Sequence, residues 1–235
     1  MTDNVPHTTS DITAAWLTDA LRSSGRLQPD ASVLEVGFDA GTAGVGFMGE
    51  VGKLSLTYSD NAGDQPATMM AKFPTQSPEV KAMMRPTRVY EREHRFYLEL
   101  AAQTPLRTPD AYHVLCETSD DDAVDEEYLL LMEDLSDLTI GDQVAGVSPD
   151  QAEAALIGLA AHHARFWNGA GLAKAEFVPD INGPLNRAGQ AIYEASLPGF
   201  KEVFGHALLP EMIPAAEAYT AAQPGLLDRL AAMPH

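Results

Sequence analysis

Met69-Met-Ala-Lys-Phe73 sets one cation, Lys72, inside an apolar run of strand length. A lysine so placed either carries its ammonium out to water at a sheet edge or meets an anion. The next segment offers one. Pro86 suits the first turn of a helix, here expected over 86–102. On that helix Val89, Phe96, Tyr97 and Leu100 form one apolar stripe. Glu93 falls within the stripe, whereas Glu91 and Glu99 fall off it. A carboxylate facing a core without a cation costs several kcal/mol, on the order of the whole stability margin of a domain. Lys72 is therefore the expected partner of Glu93; a narrower stripe would instead leave Glu93 at a solvated margin.

Working outward, Ser32 to Phe38 reads as a strand, Gly41-Thr-Ala-Gly-Val-Gly46 as a glycine-rich turn, and Phe47 to Tyr58 as a second strand. Asp60-Asn-Ala-Gly-Asp64 is a further turn and Ala67 to Phe73 a third strand, so an antiparallel meander is expected. Gly41, Gly44 and Gly46 allow positive φ and let backbone N–H groups come close to a ligand. A dinucleotide-binding turn requires a helix after its glycines, and here a strand follows. No Gly-Lys-Ser/Thr closes the loop, so a P-loop is excluded as well.

Beyond the Pro86 helix, Tyr112 to Cys116 is a short strand and the acidic run from Ser119 to Glu127 a solvated loop. Tyr128 to Met132 is an apolar strand ending in Glu133-Asp134. Ser10 can cap a helix over 11–23. Ser148-Pro-Asp-Gln151 has the form of a capping box, opening a long helix to about Trp167. From 170 onward weak helical patterns alternate with Pro and Gly. The change from strands to helices over 135–147 divides the chain into a helical extension (1–30), a strand-rich part (31–136) and a helical part (137–235).

The chain has 235 residues and a formal charge of 15 − 34 = −19. Such a surface repels phosphate backbones and anionic headgroups, which argues against nucleic acid and membrane partners. No apolar run approaches the roughly 20 residues that span a bilayer, and the N-terminus lacks the basic-then-apolar form of a signal peptide. A cytoplasmic location is expected. The single cysteine, Cys116, excludes an intrachain disulfide and a Cys-based zinc site, and reads as a small buried apolar side chain.

Glycine-rich hairpin, strand lysine, helix glutamate and apolar strand running into a linker follow one another in the order of a protein-kinase-type lobe. The segments Gly44-Val-Gly-Phe-Met-Gly-Glu-Val51, Ala71-Lys-Phe-Pro74, Glu93-His-Arg-Phe-Tyr97, Leu130-Leu-Met-Glu-Asp-Leu-Ser136, Gly141-Asp-Gln143 and His163-Ala-Arg-Phe-Trp167 resemble the aminoglycoside phosphotransferase and choline kinase superfamily. The nearest group is its ecdysteroid-kinase-like branch, and the resemblance covers about 35–170. It implies an α+β, protein-kinase-like fold. An antiparallel-sheet N-lobe with one key helix (31–136) would be followed by an incomplete helical C-lobe (137–235).

The resemblance also implies a function: phosphorylation of a small-molecule hydroxyl with ATP and Mg2+. Gly41, Gly44 and Gly46 would cover the phosphates, Lys72 would contact them, and Glu93 would orient Lys72. The Glu133 carbonyl and Leu135 N–H would meet adenine. His163, on a helix face with Leu156, Leu159, Ala160, Phe166 and Trp167, is either a core histidine or a support for the catalytic loop. Asp142 is either near the cleft or a turn residue. The acceptor, whether cationic like an amino-sugar or apolar like a sterol, stays open, as does the oligomeric state.

The family's catalytic loop, His-Gly-Asp followed by Asn, has no counterpart: Gly63-Asp64 and Gly141-Asp142 lack both the His and the downstream Asn. The chain is expected to be the first part of a longer kinase, with metal ligands beyond His235 and no activity of its own. Its helices after about 145, including Leu226, Leu227 and Leu230, would then expose a face that the missing part covers. The alternative is a non-catalytic nucleotide-binding or scaffolding module.

Overall fold

The computed structural model describes residues 5–46, 49–118, 127–139, 141–142, 144–172 and 175–233, with backbone alone over 39–46. The chain divides into two compact units, Met1–His162 and His163–His235. Among the described residues no helix is long and apolar enough to cross a membrane.

The first unit is built on a five-stranded antiparallel sheet in the order β1-β2-β3-β5-β4. The strands are β1 (Val33–Gly46), β2 (Gly49–Tyr58), β3 (Thr68–Pro74), β4 (Ala111–Glu117) and β5 (Glu127–Glu133). Alternation along β3 sends Met69, Ala71 and Phe73 to one face, where they are buried, and Thr68, Met70 and Lys72 to the other. On the first face α1 (Ala14–Ser23), capped by the Thr13 hydroxyl accepting from the Trp16 N–H, buries Trp16, Leu17 and Leu21 against Leu54, Phe73, Leu129 and Leu131. On the second face α3 (Val89–Arg95) packs Tyr90 against Tyr128 and Leu130. An α-helix therefore covers each face of the sheet, which gives the α+β class read from the sequence.

Three local readings are corrected. The glycine-rich stretch is not a turn: β1 continues through Gly46, with Gly44 paired to Val51 and Gly46 to Gly49. Glycines with no side chain to clash extend a paired arm as readily as they form a bend. The helix over 86–102 is broken. Pro86 lies in a 3-10 turn, and Arg88 adopts a left-handed φ of 49° before α3 begins at Val89. After α3 the chain widens into a π-turn, Phe96–Leu100. Ahead of it a separate helix, α2 (Pro78–Met84), starts on Ser77, whose hydroxyl accepts from the Val80 N–H. Finally, α1 is capped by Thr13 rather than Ser10. The acidic run lies mostly outside the described residues, with Glu127 opening β5.

The helix α4 (Pro149–Phe166) begins on the expected capping box: the Gln151 N–H donates to the Ser148 hydroxyl (3.2 Å) and the Ser148 N–H to the Gln151 side chain (2.8 Å). In the second unit α5 (Pro184–Phe204) and α6 (Met212–Ala231) run antiparallel. The Tyr193 hydroxyl donates to the Ala216 carbonyl, Gln190 to that of Thr220, and Arg187 pairs with Asp228.

Candidate functional site

The site is organised by a line of residues across the sheet. Gly44 pairs with Val51, Val51 with Lys72, Lys72 with Leu130 and Leu130 with Val114. Residues opposite one another on adjacent strands share a face, so the glycine-bearing arm of β1 and the side chain of Lys72 belong to the face covered by α3.

On that face Lys72 Nζ lies 2.7 Å from Glu93 Oε1 and 2.8 Å from Oε2, a two-oxygen grip on one ammonium. Both side chains are about a quarter exposed (26% each), so the pair is neither a solvated surface bridge nor a sealed core one. Tyr128, 1% exposed on β5, donates its hydroxyl to Glu93 Oε2 at 2.8 Å. Burial first, and the adjacent Glu93 carboxylate second, hold the Tyr128 phenol far above the usual tyrosine range, so it remains a donor. Tyr97 is likewise raised by burial and by Glu93. Tyr128 stacks on Tyr90 with ring centroids 5.2 Å apart, and the Tyr90 hydroxyl accepts the Thr75 N–H at 3.0 Å just past the end of β3.

The end of β5 forms a second cluster. An open pocket of about 510 Å3 is lined by residues that include Lys53, Thr68, Glu133, Asp134, Leu135 and Leu138. Lys53 pairs with Asp134 at 2.7 Å. Burial disfavours the charged form of Asp134, but hydrogen bonds from Lys53, Ser136 and Thr68 outweigh it and hold the carboxyl well below the usual range. The Glu133 side chain points to Arg107 (2.6 Å) and the Asp110 N–H (3.1 Å), and these hydrogen bonds lower its pKa.

The structure thus brings Lys72 and Glu93 into contact, sets the paired residues Gly44 and Gly46 on the same hairpin end, and places Glu133 and Leu135 at the neighbouring pocket. Gly41 lies in the irregular stretch of β1 between Asp39 and Gly44. His163 is exposed, and α4 has no buried residue, so the core position considered for it does not apply. Its neighbour His162 meets the Thr104 hydroxyl through Nδ1 at 2.7 Å. Asp142 is a turn residue: the Ala145 and Val144 N–H groups donate to its carboxylate and keep its pKa low. Cys116 is half-buried beside the Tyr90–Tyr128 cluster. Among the described residues no group of three or more His, Cys, Asp or Glu side chains could hold a metal ion.

Sequence reasoning missed Tyr128 and Tyr90. Both read as ordinary apolar-strand or helix residues, and nothing local signals that the Tyr128 hydroxyl meets a carboxylate 35 residues earlier in the chain.

A five-stranded antiparallel sheet whose third strand supplies a lysine to a glutamate on the following packed helix defines a protein-kinase-like fold. The model of the ecdysteroid kinase-like family matches residues 43–219, most of the chain, and the chain belongs to that family. The family lies within the protein-kinase-like superfamily and implies kinase activity on small molecules. No curated protein and no solved structure matches the chain.

Proposed function

We propose that the chain binds ATP on the α3 face of its sheet and forms part of a phosphotransferase that, with Mg2+, phosphorylates a hydroxyl of a small molecule. The observation that carries this reading is the line Gly44–Val51–Lys72, with Lys72 gripped by Glu93. A lysine ammonium has three N–H donors. Glu93 takes two and thereby aims the third, a geometry suited to a phosphate oxygen close to the sheet. Gly41, Gly44 and Gly46 carry no side chain, so that the backbone at these positions can lie close over the phosphates. The Glu133 carbonyl and Leu135 N–H are the proposed adenine contacts. In this reading 31–136 is the nucleotide-binding lobe, 1–30 its helical extension and 137–235 part of the helical lobe, in a cytoplasmic protein.

ATP supplies the phosphoryl group when bound. This chain's own residues fix its position: Lys72 holds the α/β-phosphates and Glu93 keeps Lys72 extended. Calorimetric titration with a non-hydrolysable ATP analogue tests this. Lys72→Ala is expected to weaken binding by about twentyfold, the worth of one charge-assisted contact. Equal affinity for the two proteins would sink the reading.

A second reading is favoured by one observation: no His-Gly-Asp with a downstream Asn occurs in these 235 residues. Phosphoryl transfer is mostly positioning and charge stabilisation, so these residues alone are expected to bind nucleotide and transfer nothing, as a nucleotide-binding or scaffolding module would. Product formation from ATP and a panel of amino-sugar, choline-like and sterol-like alcohols, followed by mass spectrometry, checks this. Any phosphorylated acceptor formed at rates typical of kinases, about 1–100 per second, would refute it.

A further inference from the structure

We infer that Tyr128 is a positioning residue of the Lys72–Glu93 pair, its hydroxyl holding the Glu93 carboxylate in place while Lys72 divides its ammonium between that carboxylate and a phosphate; this rests on the nucleotide-binding reading above. The problem it solves is one of charge. Lys72 grips both oxygens of the Glu93 carboxylate, at 2.7 and 2.8 Å. A phosphate adds a second anion on the same ammonium, and any movement of Nζ toward it withdraws a donor from Glu93. A partly buried carboxylate left without a donor rotates or takes up water, and Lys72 would then lose its guide.

Tyr128 supplies a donor that does not move with the ligand. It stands on β5, between β3 and β4 in the sheet, with 1% of its surface exposed. Its hydroxyl reaches Glu93 Oε2 at 2.8 Å. The ring is fixed by stacking on Tyr90, one helical turn before Glu93, and Tyr90 is fixed in turn by the Thr75 N–H at the end of the lysine strand. The helix α3 is therefore docked to the sheet through two neighbouring contacts, ring on ring and carboxylate on phenol. Both set the depth at which Glu93 meets Lys72. Lys72 binds Glu93 as an exchangeable cation, and Tyr128 binds it as a neutral, permanent donor.

The test uses the full chain titrated with a non-hydrolysable ATP analogue and, separately, with adenosine. Tyr128→Phe keeps the stacked ring and deletes one oxygen. It is expected to weaken analogue binding about fivefold while adenosine binding stays at the wild-type value, since only the phosphates depend on Lys72. In a Glu93→Ala background Tyr128→Phe is expected to cause no further loss, because the hydroxyl acts through Glu93. Unchanged analogue binding, an equal loss for adenosine, or the same fivefold loss in the Glu93→Ala background would each overturn the inference. Lys72→Ala separates the two levels. If Lys72→Ala loses affinity and Tyr128→Phe does not, the positioning role falls and the nucleotide site stands. If Lys72→Ala binds like wild type, the site itself falls and Tyr128 with it.

Discussion

Phe73→Ala is expected to destabilise the unit Met1–His162 by about 3–5 kcal/mol, the usual cost of emptying a core aromatic site. Phe73 is the immediate neighbour of Lys72 but faces the opposite way. It is 2% exposed and lies in the core with Leu17, Leu21, Leu54, Leu129 and Leu131, beneath α1. The void it would leave is walled by strands that cannot close in without breaking ladder bonds and by a helix packed on the same core, so relaxation recovers little. Urea unfolding followed by tryptophan fluorescence suits the measurement, because Trp16 belongs to the same core. A midpoint shift worth less than about 1 kcal/mol would mean that β3 is not a central strand with its apolar face buried. That result would also remove the support that holds Lys72 on the other face.

The same alternation explains what was legible in the sequence. Lys72 stands out because a charge interrupts an apolar strand, and Glu93 because it interrupts an apolar helical stripe. Each conflict is local, and the structure resolves both in a single contact. The strands were visible for the same reason, through period-two patterning bounded by turn residues. What the sequence hid is long-range or conformational. Tyr128 sits in an apolar run, where its ring satisfies the pattern and its hydroxyl goes unnoticed. The break at Arg88 depends on a backbone angle that an arginine rarely adopts, with φ at 49°, and no composition rule places it there. The glycines of β1 suit a bend as well as the paired strand arm they form, since glycine permits both. On α4 the apolar face that would place His163 in a core is exposed instead, with Leu156 64% and Trp167 51% accessible. An amphipathic pattern states which face wants burial, not whether anything in the chain buries it.

Gly49→Val is the second large effect expected, and it joins stability to the site. Gly49 opens β2 opposite Pro74, and a Cβ at this position would stand 2.7 Å from the Phe73 carbonyl oxygen and 3.6 Å from Lys72 Cε. The first contact is with backbone, which cannot swing aside as a side chain can. The hairpin end must therefore lift away from β3, giving up ladder bonds there, at a cost of about 3 kcal/mol. The second contact lies on the stem of Lys72, so the branched side chain also crowds the ammonium from the side of the glycine arm. Two readouts follow from one substitution. The urea midpoint should fall, and the ATP-analogue affinity of the protein that remains folded should fall beyond what the stability loss explains. Gly199→Ala is the matched control: it lies inside α5, nothing approaches the added carbon within 4 Å, and helix propensity favours it by up to about 1 kcal/mol. Gly49→Val leaving both midpoint and affinity at wild-type values would mean that β2 does not press against β3 at this point, and the close approach between the glycine-rich hairpin and the lysine strand would be wrong.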